Sequence, residues 1–129
     1  MKDEGGRMKD ESEREDLAAR TRGFTVRIIR LYGALPKGTE PQVIGKQMLR
    51  SGTSPGAHYR EAVRARSDAE FISKLEGGLQ ELEETRYWLE LLRDTGIMEW
   101  SKLSALDQEA DELTRILVAI VKQRKQRKG

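Results

Sequence analysis

Residues 54–92 read SPGAHYREAVRARSDAEFISKLEGGLQELEETRYWLELL, and this stretch decides the fold. From Phe71 onward, apolar residues recur every three or four positions, which is the spacing of a helix with one buried face. The preceding Ser67-Asp68-Ala69-Glu70 has the Ser-x-x-Glu spacing of a helix-capping box. We therefore expect a helix that begins at this box and ends near Asp94.

Three further helices are predicted on either side of this stretch. The first runs from about Glu13 to Ala34, the second from Pro41 to about Arg66, and the last from about Ser101 to Lys125. Pro55 lies inside the second helix, where it removes a backbone hydrogen bond, so a kink or short break is predicted there. Four amphipathic helices with short connections predict an all-α fold, an antiparallel up-down four-helix bundle.

The composition sets limits on the class of protein. A chain of 129 residues makes one domain with one shared core. It has no cysteine, which excludes a disulfide framework, a thiolate nucleophile and a zinc–thiolate site. The N-terminus lacks the apolar stretch of a signal peptide, and the longest apolar run, residues 116–121, is far shorter than the roughly 20 residues of a membrane span. We expect a cytoplasmic protein that does not contact a membrane.

The charge pattern divides the chain into three parts. Residues 1–12 contain dense mixed charge and two glycines, so we expect them to be disordered. Residues 13–122 form the predicted bundle. Residues 123–129 form a basic C-terminal tail, and the last eight residues, KQRKQRKG, carry five cations and no acid. A stretch of this kind is typical of a flexible electrostatic arm.

Three motifs in the central stretch carry a family resemblance: a YREA box, an RARS helix junction and a YWLELL helix end. They resemble the four-helix-bundle proteins first noticed in intervening sequences of bacterial 23S ribosomal RNA genes, the S23-like family. The resemblance covers roughly residues 13–122. Its family motif is Tyr59, Arg60, Glu61 and Ala62. It implies a homo-pentamer and a relationship to the accessory proteins of diversity-generating retroelements, which partner a reverse transcriptase.

The chain departs from that family pattern at a few positions. Similar proteins read S-I-G-A-N-Y-R-E-A where this chain has Pro55 in place of the apolar residue and His58 in place of Asn. Gly77 and Gly78 stand where relatives usually have bulkier residues. The fold should survive these changes, but the packing near the kink should differ.

Two basic features predict contact with nucleic acid. Lys46, Arg50, Arg60 and Arg64 share one side of the second helix if that helix is continuous. Such a stripe can contact phosphates, or it can form ordinary ion pairs with Glu76, Glu83 and Glu90 of the next helix. In the tail the candidate contacts are Lys122, Arg124, Lys125, Arg127 and Lys128. No aromatic residue is interleaved with the tail cations, so the predicted binding is independent of base sequence.

The residues favour neither a metal site nor acid–base catalysis. His58 and Glu61 share a helix face, and bundles with two metal ions use Glu-x-x-His pairs. Here the order is reversed and one histidine is available, so we expect a packed His58, no metal and no cofactor. Glu61 is expected to accept hydrogen bonds from a neighbouring helix or from Arg60 or Arg64. No nucleophile, base and orienting group can be assembled from these residues.

Four large side chains are candidates for a subunit interface: Tyr87, Trp88, Leu91 and Trp100. They lie outside the main apolar stripe, where a wide core at one bundle end is the alternative explanation. The favoured function is a non-enzymatic, oligomeric adaptor or scaffold that associates with RNA or DNA. The alternatives are a protein-interaction module that binds no nucleic acid and, third, a metal-binding bundle.

Overall fold

The structure is a computed structural model, which describes the backbone of residues 2–128 and the side chains of residues 11–127. Nearly all of these residues are helical. The helices are α1 Lys2–Ala34, α2 Thr39–Gly52, α3 Ser54–Val63, α4 Asp68–Asp94 and α5 Ser104–Lys128, with a 3-10 turn at Trp100–Lys102. No strand occurs between residues 2 and 128, and the predicted all-α class is confirmed. The disorder predicted for residues 1–12 falls mostly outside the described side chains and stays a prediction.

The predicted kink is a short break between α2 and α3. Thr53 lies between the two helices, and Pro55 lies in the first turn of α3. The N–H groups of a first turn have no carbonyl partner within the helix, so a proline there costs no hydrogen bond. The kink near Pro55 is therefore confirmed. The predicted end at Arg66 is wrong, because α3 ends at Val63 and residues 64–67 form the link to α4.

The predicted capping box begins α4. Ser67 has an extended backbone, and its Oγ accepts a hydrogen bond of 3.0 Å from the N–H of Glu70. The Glu70 carboxylate in turn accepts a bond of 2.9 Å from the N–H of Arg66, one residue before the cap. These two bonds satisfy donors that a helix start leaves free, and they hold the link between α3 and α4 in place.

The helices pack antiparallel. Leu35, just after the end of α1, contacts the middle of α2 at Gly45, and Ile28, about two turns further back, contacts Gly52 at the end of α2. A Cβ added at Gly52 would lie 2.7 to 2.9 Å from the Ile28 side chain, so this crossing requires glycine. Counting α2 and α3 as one broken helix, the architecture is a four-helix bundle.

The core confirms the predicted apolar stripes. The fully buried residues come from every helix of the bundle, and the largest are Phe24, Ile28, Met48, Leu75, Leu82, Leu89, Leu92, Leu103, Leu113 and Leu117. Leu31, Tyr32 and Ile120 are half-buried against this cluster. Since the stripe positions are taken up by the core, the functional surface has to be sought on the outer faces.

Two hydroxyl groups are the polar exception at the junction of α2 and α4. Ser51 and Thr85 are both fully buried, and their side-chain oxygens are hydrogen-bonded at 2.9 Å. Thr85 also bonds to the carbonyl of Glu81 in its own helix at 2.7 Å. Each hydroxyl therefore has a partner inside the core, as buried polar groups require.

Ion pairs join α5 to its two neighbours. Arg86 of α4 makes bonds of 3.0 and 3.2 Å to the carboxylate of Asp107, and Arg20 of α1 bonds to Glu109 at 2.7 Å. These hydrogen bonds raise the pKa values of the Arg86 and Arg20 guanidinium groups above their usual value. Both pairs are half-buried, so they orient α5 more firmly than pairs fully exposed to water would.

Candidate nucleic-acid interface

The break between α2 and α3 divides the predicted basic stripe. Lys46 and Arg50 belong to α2, whereas Arg60 belongs to α3 and Arg64 is the first residue after that helix. Arg50 forms ion pairs with Glu81 and Glu84 of α4, as the ion-pair interpretation of the stripe expects, although with other glutamates than those predicted. Lys46 is exposed and forms no ion pair with a described residue. The stripe is thus two separate pairs of cations.

Arg60 and Arg64 lie instead on an open groove between α1 and α3. The same groove is lined from the α1 side by Arg14 and Arg22. All four arginines are exposed, and none forms an ion pair with a residue whose side chain the structure describes. Two arginines of α1 and two at the end of α3 therefore border one concave surface, which we call the arginine groove.

The arginine groove also holds acidic groups. Glu11, Glu15 and Glu61 are among its lining residues. Glu61 is already paired with Lys74 of α4 at 3.1 Å, as expected of a residue that bonds to a neighbouring helix. The two free glutamates both belong to α1, so the α3 side of the groove is the more basic one.

Small residues also line the arginine groove. Ala18 and Ala19 come from α1, and Gly56 and Ala57 come from α3. A Cβ at Gly56 would lie 3.4 Å from the backbone oxygen of Thr21, which shows how closely the two helices approach there. The groove therefore follows a close crossing of α1 and α3.

A second pocket continues from the arginine groove toward the end of the bundle. Arg14 lines both, and the pocket adds Arg66 from the link before α4 and Arg127 from α5. Both added arginines are exposed, and neither forms an ion pair with a described side chain. The structure therefore brings cations of the RARS junction and of the C-terminal segment to the same end of the molecule.

The C-terminal segment is helical rather than a free arm. Helix α5 continues to Lys128, where the sequence predicts a flexible tail from residue 123. Arg124 pairs with Asp68 at 3.0 Å and lies 3.8 Å over the ring of Phe71, and Lys125 pairs with Glu76 at 3.2 Å. These contacts dock the segment against α4, and Lys, Arg and Gln are themselves good helix formers.

The other two tail cations are placed differently. Lys122 is exposed on α5, while the side chain of Lys128 lies outside the described residues. Of the predicted tail cations, Arg127 is the one that lies in the second pocket without an acidic partner among the described side chains. The tail thus offers fewer free cations than its composition suggests.

The four candidate interface residues differ in exposure. Tyr87 is 53% exposed, and its ring meets that of Trp88 edge to face at 5.0 Å. Leu91 is half-buried on the same helix. Trp100 is also half-buried, with its ring under the guanidinium of Arg93 at 4.8 Å. A subunit interface through these residues stays a prediction.

The described residues contain neither a metal site nor a membrane-spanning helix. No group of three or more His, Asp and Glu side chains is arranged to hold a metal ion between residues 11 and 127. Over the described part of the chain, no helix combines the length and the apolar character needed to cross a bilayer.

Comparison with known proteins bears on the motif residues. The sequence profile described as 23S rRNA-intervening sequence protein matches residues 14–119. The chain belongs to this family. A solved member, described as a protein with unknown function from the S23 ribosomal protein family of Bacteroides thetaiotaomicron, is 40% identical. The similarity covers 82% of this chain and 98% of that one, with a TM-score of 0.78. No curated protein matches the sequence.

The family motif of this 23S rRNA-intervening sequence protein divides between core and surface. Tyr59 and Ala62 are buried, and the Tyr59 hydroxyl donates to the backbone oxygen of Arg14 at 3.3 Å. Burial raises the pKa of Tyr59 above its usual value. Arg60 faces the arginine groove and Glu61 pairs with α4. The motif therefore joins α3 to both of its neighbours and leaves one cation for the surface.

His58, Gly77 and Gly78, which depart from the expected family pattern, lie against one another. A Cβ at Gly77 would lie 2.8 Å from Cε1 and 3.0 Å from Nδ1 of His58, and a Cβ at Gly78 would lie 3.4 Å from the His58 Cβ. The larger imidazole at position 58 therefore occupies the space that a side chain at position 77 would need. The Nδ1 atom of His58 is buried and has no hydrogen-bond partner among the described residues.

Sequence reasoning missed Arg14, Arg22 and Arg66 as site residues. Arg66 was within reach, because it stands in the RARS box two residues after Arg64. Arg14 and Arg22 are eight residues apart, which places them within about 80° of each other on one flank of the α1 apolar stripe. That spacing is visible in the sequence, but which helix faces this flank is not.

Proposed function

We propose that this protein is a non-enzymatic adaptor that associates with nucleic acid through the phosphate backbone. The observation that carries the proposal is the arginine groove, where Arg14, Arg22, Arg60 and Arg64 meet without an acidic partner of their own. Arginine is suited to this role because its planar, permanently charged guanidinium forms two parallel hydrogen bonds with a phosphate.

The second pocket supports the same role. Arg66 and Arg127 extend the line of free guanidinium groups from α3 toward the end of α5. Cations that stabilise the fold are usually paired, as Arg20, Arg50 and Arg86 are here. Exposed arginines without a pair add little to the stability of the bundle. Their grouping on neighbouring concave surfaces is better accounted for by an external polyanion.

The non-enzymatic part of the proposal rests on the residue inventory. The chain has no cysteine, and its single histidine is packed against Gly77 between α3 and α4 rather than beside a hydroxyl or carboxylate pair. The buried hydroxyls of Ser51 and Thr85 bond to each other and to backbone. Neither of these two hydroxyls is therefore activated by a base among the side chains that the structure describes.

A fluorescence-anisotropy salt series tests the proposal. The full chain is titrated against structured RNA, duplex DNA and heparin as a polyanion control, at salt concentrations from about 50 to about 200 mM. We expect one nucleic acid to bind more tightly than heparin, with affinity that falls steeply as salt rises. Equal weak binding to all three, or no binding, contradicts the proposal.

A protein-interaction scaffold is the second candidate. It is favoured by Tyr87, which is exposed and meets the ring of Trp88 edge to face. Aromatic side chains are enriched at the centres of protein interfaces. We propose an oligomer, a pentamer by family resemblance, with this pair at the contact. Light scattering after size exclusion should give a mass near five chains for the wild type, and a smaller one for Tyr87→Ser. A monomeric wild type contradicts the scaffold.

A further inference from the structure

Aromatic rings near the arginine groove are covered. Tyr59, which lines both the groove and the second pocket, is 3% exposed. Phe71 lines the second pocket, but the guanidinium of Arg124 lies 3.8 Å above its ring. Among the described lining residues there is thus no open ring on which a base can stack.

The missing stacking surface matters for the kind of nucleic acid. Proteins that hold single strands stack bases on exposed aromatic side chains, and each stacked base contributes about 1–3 kcal/mol. The cations of the arginine groove are guanidinium groups, which bind phosphates and offer no ring on which a base can stack. A double helix carries twice as much charge per unit length as one of its strands. Each phosphate contact therefore releases more counterions, roughly 0.9 of an ion from a double helix and roughly 0.7 from a single strand.

The spacing of the arginines suits a rigid row of phosphates. Arg60 lies in the last turn of α3, and Arg64, four positions on, caps the end of that helix, so about 6 Å separates them along the helix axis. Arg14 and Arg22 are eight residues apart in α1, which gives about 12 Å. Three of these arginines belong to helices fixed by the bundle core and the fourth directly follows one of them, so they do not adapt to a coiled strand as a mobile arm would.

We infer that the arginine groove binds the phosphate backbone of a double helix and discriminates against single strands. This inference rests on the proposed function and names the nucleic-acid form. RNA and DNA duplexes share this phosphate chemistry, so both are ligands of the same class, and the base sequence is not read. Arg60, Arg64 and the two arginines of α1 contribute one phosphate contact each.

Anisotropy with matched probes tests the inference on the full chain. The probes are a two-turn RNA duplex, a DNA duplex of the same sequence, and one strand of each that cannot fold on itself. Four contacts predict that duplex affinity falls about 150-fold between about 50 and 200 mM salt. We expect both duplexes to bind more tightly than their single strands at every salt concentration.

Three double variants assign the effect to the groove. Arg60→Gln with Arg64→Gln should reduce the salt dependence to about 12-fold over the same range, because two contacts remain. Arg60→Lys with Arg64→Lys keeps the charge and should restore most of that dependence. Arg27→Gln with Arg30→Gln is the control, because these exposed arginines of α1 line neither the groove nor the second pocket. Circular dichroism verifies that each variant is folded.

The outcomes separate this inference from the proposed function. Single strands that bind as tightly as duplexes overturn the inference and leave the adaptor in place. An Arg60 and Arg64 double variant that behaves as the Arg27 and Arg30 control does overturns the groove as the binding surface. Absence of any preference for nucleic acid over heparin removes the proposed function and the inference together.

Discussion

The contact between His58 and Gly77 makes a quantitative prediction. Gly77→Ala adds a methyl group where a Cβ lies 2.8 Å from Cε1 of the imidazole, a distance that real Cβ atoms do not show. The imidazole is half-buried against α4, so its ring has to shift to make room for the methyl group. The same substitution replaces a glycine in the interior of α4 by the best helix former. Two opposing effects on the free energy of unfolding therefore act at one position.

Their magnitudes decide the sign. Replacing a helical glycine by alanine stabilises by about 1 kcal/mol. Overfilling a packed interface destabilises by about 1–3 kcal/mol. In the wild-type background, Gly77→Ala should therefore range from neutral to destabilising by about 2 kcal/mol. When His58→Ala has removed the ring, the same substitution should stabilise by about 1 kcal/mol.

Urea unfolding of the four proteins in this cycle measures the coupling. We expect an interaction energy of about 1–3 kcal/mol between positions 58 and 77. Gly23→Ala is the matched control, because a Cβ at this exposed glycine of α1 would meet nothing within 4 Å. It should stabilise equally with or without His58. Additive effects at Gly77 and His58, within about 0.5 kcal/mol, would refute the packing explanation.

Three other substitutions test separate parts of the structure. Gly52→Ala should destabilise by about 1–3 kcal/mol in urea unfolding, because its Cβ would meet the fully buried Ile28, and an unchanged midpoint would contradict the close crossing. Asp68→Asn should release Arg124, so the slope of log affinity against log salt for duplex binding should become steeper by about 0.9. An unchanged slope means that Arg124 contributes no phosphate contact. The raised pKa of Tyr59 keeps its phenol neutral in the folded chain after the unfolded chain has begun to lose this proton, so stability should fall above about pH 10. Tyr59→Phe should weaken that fall, and an identical pH profile for both proteins would exclude Tyr59 as its source.

Features with local causes could be predicted from the sequence. The start of α4 follows from Ser67 and Glu70, because a cap forms between neighbours in the chain. The break beside Pro55 follows from the missing N–H of proline. The buried stripes follow from helical periodicity, since each helix has one face that requires burial. In each case the residues that decide the structure lie within a few positions of one another.

Features that depend on contacts between helices could not be predicted in this way. The continuous helix assumed for Lys46 to Arg64 joined cations that the break separates. Arg14 and Arg22 gain their significance from the flank of α3 that they face, and no local pattern encodes that orientation. Composition likewise misjudged the tail, because Arg124 is held by Asp68, a residue 56 positions earlier.

The hydrogen bond between Ser51 and Thr85 has a consequence for how α2 and α4 are aligned. If α2 slid along α4 by one turn, the hydrogen bond between the two hydroxyls would be lost, while each hydroxyl would keep a carbonyl partner in its own helix. A hydrogen bond of this kind contributes about 0.5–1.5 kcal/mol, so it favours one alignment of the two helices over its neighbours. Replacing both residues by apolar ones of similar size can leave the bundle as stable as before, yet with less discrimination among alignments. The pair therefore serves to select the alignment of α2 with α4 more than to stabilise the bundle.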